Sequence, residues 1–336
     1  MKSKVILLIL IWVSLNVYSQ AYRLADIEEE PGINRKVRRL VQEMDLIARS
    51  TRDLETFGFA SIVQARELYG MGEKALPEML RQIKNKSLHS NLRFDMISHL
   101  GYFGYVRKKY LKEVIDSLGK MLLDKSEDPS VRNGICGYFF EVVKDTHATS
   151  YLIQVMEDKS NPERVRWCAI RSLGEIRDER AIPHLWGILE GNDTEDIRAI
   201  TAMSLGCMGS KIREEADRLI KLYRNEESGL VKDKLIWAMI STKDKKVIPI
   251  LLENKRKPIA IEGLRVIGGR EGKEALLQLL KDEDEGVRYD AALSLLKMRD
   301  KSVIPAIESV IPTFNSSGFR KVISDSLNNL IRRGQK

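Results

Sequence analysis

Apolar positions along this chain repeat on two scales: every four residues within a segment, and again in each segment that follows. Ala60, Leu92, Val131, Val165, Ile197, Val231, Ile259, Val287 and Phe319 each open such a segment, at successive spacings of 32, 39, 34, 32, 34, 28, 28 and 32. Eight residues further on stand Leu68, Leu100, Phe139, Leu173, Leu205, Met239, Ile267, Leu295 and Leu327, all apolar. A stripe at 0, +4 and +8 is one face of an α-helix. A basic residue follows the opening position in seven segments (Arg93, Arg132, Arg166, Arg198, Lys232, Arg288, Arg320), with Ser61 and Ala260 in the other two.

Proline marks a second helix in four of the units. Pro77, Pro183, Pro249 and Pro305 fall 17, 18, 18 and 18 residues after their opening positions, and each starts a run of helical spacing such as "AIPHLWGIL". Proline suits a first helical turn, where the amide it lacks has no intrahelical partner. Asp128-Pro129, Asn161-Pro162 and Asp193 precede first helices and suit N-caps. Gly101, Gly174, Gly206 and Gly268, all at +9, are expected to close first helices in a left-handed cap. Each unit therefore reads as a helix pair too apolar on one side to stand alone, so neighbours must stack. "NRKVRRLVQEM" (34–44) and "RKVISDSLNNLIRRGQK" (320–336) read as terminal helices covering the ends.

The segments "DPSVRNGICGYF", "ERVRWCAIRSLGEIRDERAIPHL", "EDIRAITAMSLG" and "EGVRYDAALSLLKMRDKSVIPAI" resemble the HEAT family, in particular the short bacterial HEAT-like repeats related to phycobilin lyases. The resemblance spans residues 55–331 and is strongest from 129 to 310. It implies an all-α fold, an α-solenoid of stacked helix pairs whose second helices line the concave side. It also implies that the recurring Arg, Arg166 among them, pairs with an acidic or carbonyl group of a neighbouring repeat. "KPIAIEGLRVIGGREG" departs from the pattern, lacking both the basic residue and the second-helix proline. Such repeats specify a fold and carry many functions.

The N-terminus has a different character. Two lysines in "MKSK", the apolar run "VILLILIWVSLNV" and the small residues of "YSQA" have the layout of a secretory signal peptide, residues 1–19, expected to be cleaved, with an uncleaved anchor as the alternative. The expected organisation is then a capping helix region at 20–54, a repeat array at 55–318 and a C-terminal capping helix at 319–336. Cleavage removes Lys2 and Lys4 and lowers the formal net charge from +8 to +6. That mild surplus permits weak contact with an anionic membrane surface but does not mark a nucleic-acid binder. Cys136, Cys168 and Cys207 are odd in number and widely spaced, reading as small buried residues rather than a disulfide framework or metal site.

Catalytic chemistry has little to stand on. The four histidines fall in different units, and no metalloprotease, nucleophile-elbow or phosphate-loop motif is present. "GGREGKE" (268–274) has no preceding strand, and its glycines fit a turn. No catalytic residue, cofactor or metal is expected. Two surfaces suggest contact instead. One is the turn carrying Tyr102, Phe103, Tyr105, Arg107, Lys108, Lys109 and Tyr110, an aromatic and basic cluster. The other is the row of second helices, with Arg81, His184 and Trp186 as candidates. The expectation is an exported, non-enzymatic scaffold of the bacterial periplasm or envelope that binds a protein or peptide. A lyase-like enzyme acting on a chromophore or small group, and a nucleic-acid-binding array, are the alternatives. Oligomeric state is left open.

Overall fold

The computed structural model describes residues 30–51, 54–102 and 108–332, and these are helical with no strand among them. The chain divides into two compact units, Met1–Asn85 and Lys86–Lys336.

In the first unit, α1 (Pro31–Ser50) buries Val37, Leu40, Val41, Met44 and Ala48. This stripe, spaced three and four apart, packs on α3 (Ile62–Gly70) and on α4 (Leu76–Ile83), while α2 (Leu54–Ala60) leads into α3. Glu78 of α4 is almost fully buried, with its carboxylate reached by Arg81 (2.9 Å), Gln82 (2.8 Å) and Arg38 (3.2 Å).

The second unit is a succession of helix pairs. First helices are α5 (Ser90–Tyr102), α7 (129–143), α9 (Glu163–Ile176), α11 (Glu195–Cys207), α13 (Gly229–Thr242), α15 (Pro258–Ile267) and α17 (Glu285–Lys297). Their second helices are α6 (Lys108–Leu123), α8 (Thr149–Glu157), α10 (Ile182–Leu189), α12 (Ala216–Asn225), α14 (Ile248–Glu253), α16 (Gly269–Leu279) and α18 (Ile304–Val310). A last helix, α19 (Ser317–Arg332), packs on α17 and α18. Consecutive first helices pack directly on one another, and the opening residues Leu92, Val131, Val165, Ile197 and Val231 lie wholly inside the core.

The turn inside each pair is built differently from the expectation. Gly101, Gly174 and Gly206 are not left-handed caps; each lies within its helix. The left-handed residues come about three positions later, at Lys144 (φ 53°), Arg177 (φ 58°), Gly209 (φ 60°), Lys243 (φ 56°) and Arg299 (φ 59°). In four of these an Asp follows directly. Asp145, Asp178, Asp244 and Asp300 each accept the amide two residues on, at 2.8–3.0 Å, starting the 3-10 turn that feeds the second helix. The Asp hydrogen bonds stabilise a turn in which a β-carbon must tolerate the left-handed region. Pro77, Pro183, Pro249 and Pro305 then occupy first turns, as the spacing predicts.

The +9 glycines serve close packing instead. A Cβ on Gly174 would lie 2.9 Å from the Cα of Ser204 on α11, and one on Gly206 would lie 2.5 Å from the Trp237 ring on α13. Of the four expected caps only Gly268 has a positive φ, +67°, and it closes α15 by donating to the Leu264 carbonyl. Register is corrected there too: Ile259 is exposed, while Ala260 and Leu264 face the core. At the C-terminal end Phe319 is half-buried, and Ile323 and Leu327 supply the core residues. Ala60 is likewise exposed, with Leu68 buried in its unit.

One first helix holds an extra residue. Thirteen positions separate Val131 from left-handed Lys144, against twelve from Val165 to Arg177, Val231 to Lys243 and Val287 to Arg299. A π-helical turn, Ile135–Phe140, absorbs it, so both ends of α7 keep the register of their neighbours.

The basic residue after the opening position ties pairs together. Arg93 forks onto Glu127, with Nη1 at 2.7 Å, and both side chains are about 2% exposed. Arg132 donates to the Leu122 carbonyl (2.8 Å) and to Asn161 Oδ1 (2.6 Å). Arg166 donates to the Met156 carbonyl (2.8 Å) and forks onto Asp193 (2.9 and 2.6 Å). Arg198 forks onto Glu226 (2.7 and 2.8 Å). Every acceptor side chain stands just before the next first helix. Of the three expected N-caps only Asp128 serves as one, taking the Ser130 amide. Asn161 and Asp193 are acceptors of this ladder, and Pro162 and Thr194 take the cap positions.

Candidate interaction surface

Counting back six residues from the left-handed position gives Tyr138, Arg171, Met203, Trp237 and Leu293 on successive first helices. These positions are structurally equivalent, and the π turn in α7 is what keeps Tyr138 among them. Three of them are open, Tyr138 and Trp237 at 41% and 43% exposed and the Arg171 side chain at 44%, while Met203 and Leu293 are half-buried. One helical turn earlier lie Trp167 on α9 and Tyr289 on α17, both half-buried. The outcome is a stripe of aromatic, Arg and Met side chains along the first helices.

These side chains are held in place. The Trp167 ring is approached by two guanidinium groups, Arg164 at 5.1 Å and Arg171 at 5.6 Å from the ring centroid. Arg171 is anchored on Glu141 of the preceding first helix at 2.8 Å. Tyr138 meets Phe94 edge-on, centroids 4.8 Å apart, and Phe94 lies over Gly134. Trp237 lies over Gly206. Trp237 rests on a glycine, Trp167 beside guanidinium groups and Tyr138 on Phe94, which limits the side-chain entropy lost when a partner docks. Aromatic residues with Arg and Met are the types enriched in interface centres.

Reactive chemistry is muted along the same face. Burial raises the Cys168 thiol, with Arg164 and Arg171 opposing, and burial raises Cys207, with Glu175 adding to it. Burial puts Cys136 well above the ordinary thiol range. Thiols held protonated are poor nucleophiles. Burial also lifts the Glu141 carboxyl despite Arg171 beside it. Among the described residues no group of three or more His, Cys, Asp or Glu could hold a metal ion, and no helix is long and apolar enough to cross a membrane.

The second helices present a different surface, closed by ion pairs between neighbours. Arg218 of α12 forks onto Glu190 (2.7 Å twice), Arg224 onto Glu253 (2.6 and 2.5 Å), and Lys246 reaches Asp217 at 2.6 Å. His184 contacts Glu157 at 2.6 Å, and Tyr151 donates to Asp116 at 3.0 Å. Trp186, expected on the open side of this row, is turned inward: it is 2% exposed and roofed by Arg218 at 4.0 Å from its ring centroid. Arg81 is half-exposed and engaged by Glu78. Of the aromatic and basic turn, Phe103, Tyr105 and Arg107 lie outside the described residues. Tyr102 ends α5, Lys108 and Lys109 begin α6, and Tyr110 is half-buried in its first turn. Sequence reasoning passed over Tyr138, Trp167 and Trp237. The signal that finds them is distance from the basic-Asp pair of each turn, Lys144-Asp145, Arg177-Asp178 and Lys243-Asp244.

The family model for HEAT repeats matches residues 115–206 and 255–328. No curated protein matches the chain. Among solved structures, the CpcE–CpcF complex of phycocyanin lyase from Nostoc is 15% identical, with 76% of this chain and 94% of that one covered at a TM-score of 0.44. Human deoxyhypusine hydroxylase, in complex with glycerol, is also 15% identical, with 67% and 96% covered at a TM-score of 0.36.

Proposed function

We propose that this chain, a protein of HEAT repeats, is an exported, non-enzymatic scaffold of the bacterial periplasm or envelope that docks a protein or peptide along its first helices. The observation that carries the reading is the register of Tyr138, Arg171 and Trp237: three open, pre-anchored side chains at one repeated position. A partner laid across successive repeats meets them in turn, and a few aromatic and Arg anchors suffice to dominate the affinity. The second-helix face supports the assignment by contrast, since its Arg218, Arg224 and Lys246 already have carboxylate partners. Export rests on residues 1–19, whose charge, apolar run and small residues suit signal-peptide cleavage.

Photo-crosslinking in intact cells tests the docking face. With benzoylphenylalanine placed singly at Tyr138, Trp167 or Trp237, the same adduct is expected from all three. Placement at Ser150 or Gln154 on α8 is expected to give none. Adducts from α8 alone, or from both faces equally, would refute the assignment. The mass of the mature protein and its cell fraction test export separately: a full-length cytosolic product ends that part of the reading.

A further inference from the structure

The ladder of arginines changes character near its C-terminal end, and the change leaves a cationic depression. Arg288 holds the same place on α17 as Arg166 on α9, but the following turn offers it no carboxylate. Its guanidinium spends three donors on carbonyl oxygens, those of Asp282 (2.8 Å), Glu283 (2.9 Å) and Thr313 (3.0 Å). Its Nε is buried with no acceptor. An unpaired buried donor is costly, and Arg288 is left with a charge that meets no anionic partner.

That hollow exists. Arg288 lines a depression of about 440 Å³ together with Lys281, Asp282, Leu277, Leu280, Ala306 and Val310. Lys281 is exposed and has no carboxylate partner among the described residues. None of the nearby acids forms an ion pair with either cation among the described residues. Asp282 is held by Lys255 at 2.5 Å, Asp284 caps α17 through the Gly286 amide, and Glu285 accepts the Ser316 amide; Glu283 stands exposed in solvent. Two cations above aliphatic side chains, in a volume suited to one or two residues, select a carboxylate carried on an apolar stem.

We propose that the depression between α16, α17 and α18 is a binding site for a carboxylate with an adjoining apolar group, held by Lys281 and Arg288 over Leu277, Leu280 and Val310. The group is either the C-terminus of a peptide ending in an aliphatic residue or an acidic side chain beside one. The site goes beyond the docking stripe and stands whether or not that reading survives.

Calorimetric titration of the full chain tests it, with acetyl-Gly-Val-Leu as free acid, its C-terminal amide, and an amidated peptide containing Glu beside Leu. The free acid is expected to bind, with the plain amide weaker by at least about tenfold, the loss typical of a charge-assisted hydrogen bond. Binding of the Glu peptide at the strength of the free acid assigns the source to side chains, and its failure assigns it to chain termini. Lys281→Gln, an exposed change that spares the fold, is expected to weaken the free acid several-fold, and Lys281→Glu more. Arg288→Gln should abolish binding in a protein whose melting temperature shows it folded. Equal binding of acid and plain amide, no heat at millimolar peptide, or an affinity unmoved by Lys281→Glu overturns the proposal.

Discussion

Replacing Arg166 with Met tests whether the arginine ladder holds one pair to the next. The guanidinium and the Asp193 carboxylate are each about 5% exposed, and three hydrogen bonds of 2.6–2.9 Å leave Arg166. Methionine keeps much of the packing volume but strips the charge, so Asp193 is left buried without its partner and the Met156 carbonyl loses its donor. Breaking a buried pair from one side typically costs about 3–5 kcal/mol. Urea denaturation measures the loss, and amide exchange in α9 and α11 locates it, since an array can open locally. Acid supplies a second readout. The hydrogen bonds of Arg166, against the opposing effect of burial, hold the Asp193 carboxyl below the usual carboxylate range. A depressed folded pKa contributes stability above the unfolded value, about 3.9, and loses it as pH falls through the folded value. The variant loses the Arg166 hydrogen bonds that depress Asp193, with the Thr194 amide and Lys159 left to oppose burial, so less stability is lost there on acidification. The gap between wild type and Arg166→Met should therefore narrow as pH falls below about 4. In a cycle with Asp193→Asn, the double variant should cost less than the two single changes together by about 1–3 kcal/mol. A loss under about 1 kcal/mol, a gap unchanged by acid, or strict additivity refutes the reasoning.

Gly174→Ala should destabilise by about 1–3 kcal/mol in thermal unfolding, because the new methyl group meets the Ser204 backbone. Gly187→Ala, with nothing within 4 Å in the middle of α10, should instead stabilise by about 0.5–1 kcal/mol. Asp178→Ala removes the acceptor of the Arg180 amide and of the Thr149 hydroxyl (2.8 Å), and should cost about 1–2 kcal/mol by chemical denaturation. In the native protein Cys136 and Cys168 should resist iodoacetamide at neutral pH while half-buried Cys207 reacts first, as followed by peptide mass mapping.

The helix pairs were legible because burial and proline leave marks on residue type. A core stripe must be apolar, and a first-turn proline is tolerated where a mid-helix one is not. Turn chemistry was harder to read. The left-handed position is filled by Lys144, Arg177, Lys243 and Arg299, residue types that do not announce it, while the glycines that drew attention serve helix contacts. Ile259 and Ala260 show the limit of apolar pattern in a short helix: both satisfy it, and only packing separates them. Trp186 shows the same limit for the surface. A helix of eight residues, such as α10, fixes its phase too loosely to say which side a ring takes. The exposed stripe emerges only when helices are aligned from their C-terminal turns, since the extra residue in α7 displaces Tyr138 in any count made from Val131.

Along the second unit, side-chain clasps from Arg93, Arg132, Arg166 and Arg198 give way to Lys232, near the Tyr223 ring, and then to Arg288 and Arg320, which grip only main-chain oxygens. Mechanically this is a seam fastened at one end and merely tacked at the other. Under tension, the last pairs should part before those around Arg166, so a tethered load would peel the protein in a fixed direction and spare the segment that bears Tyr138 and Trp167 longest.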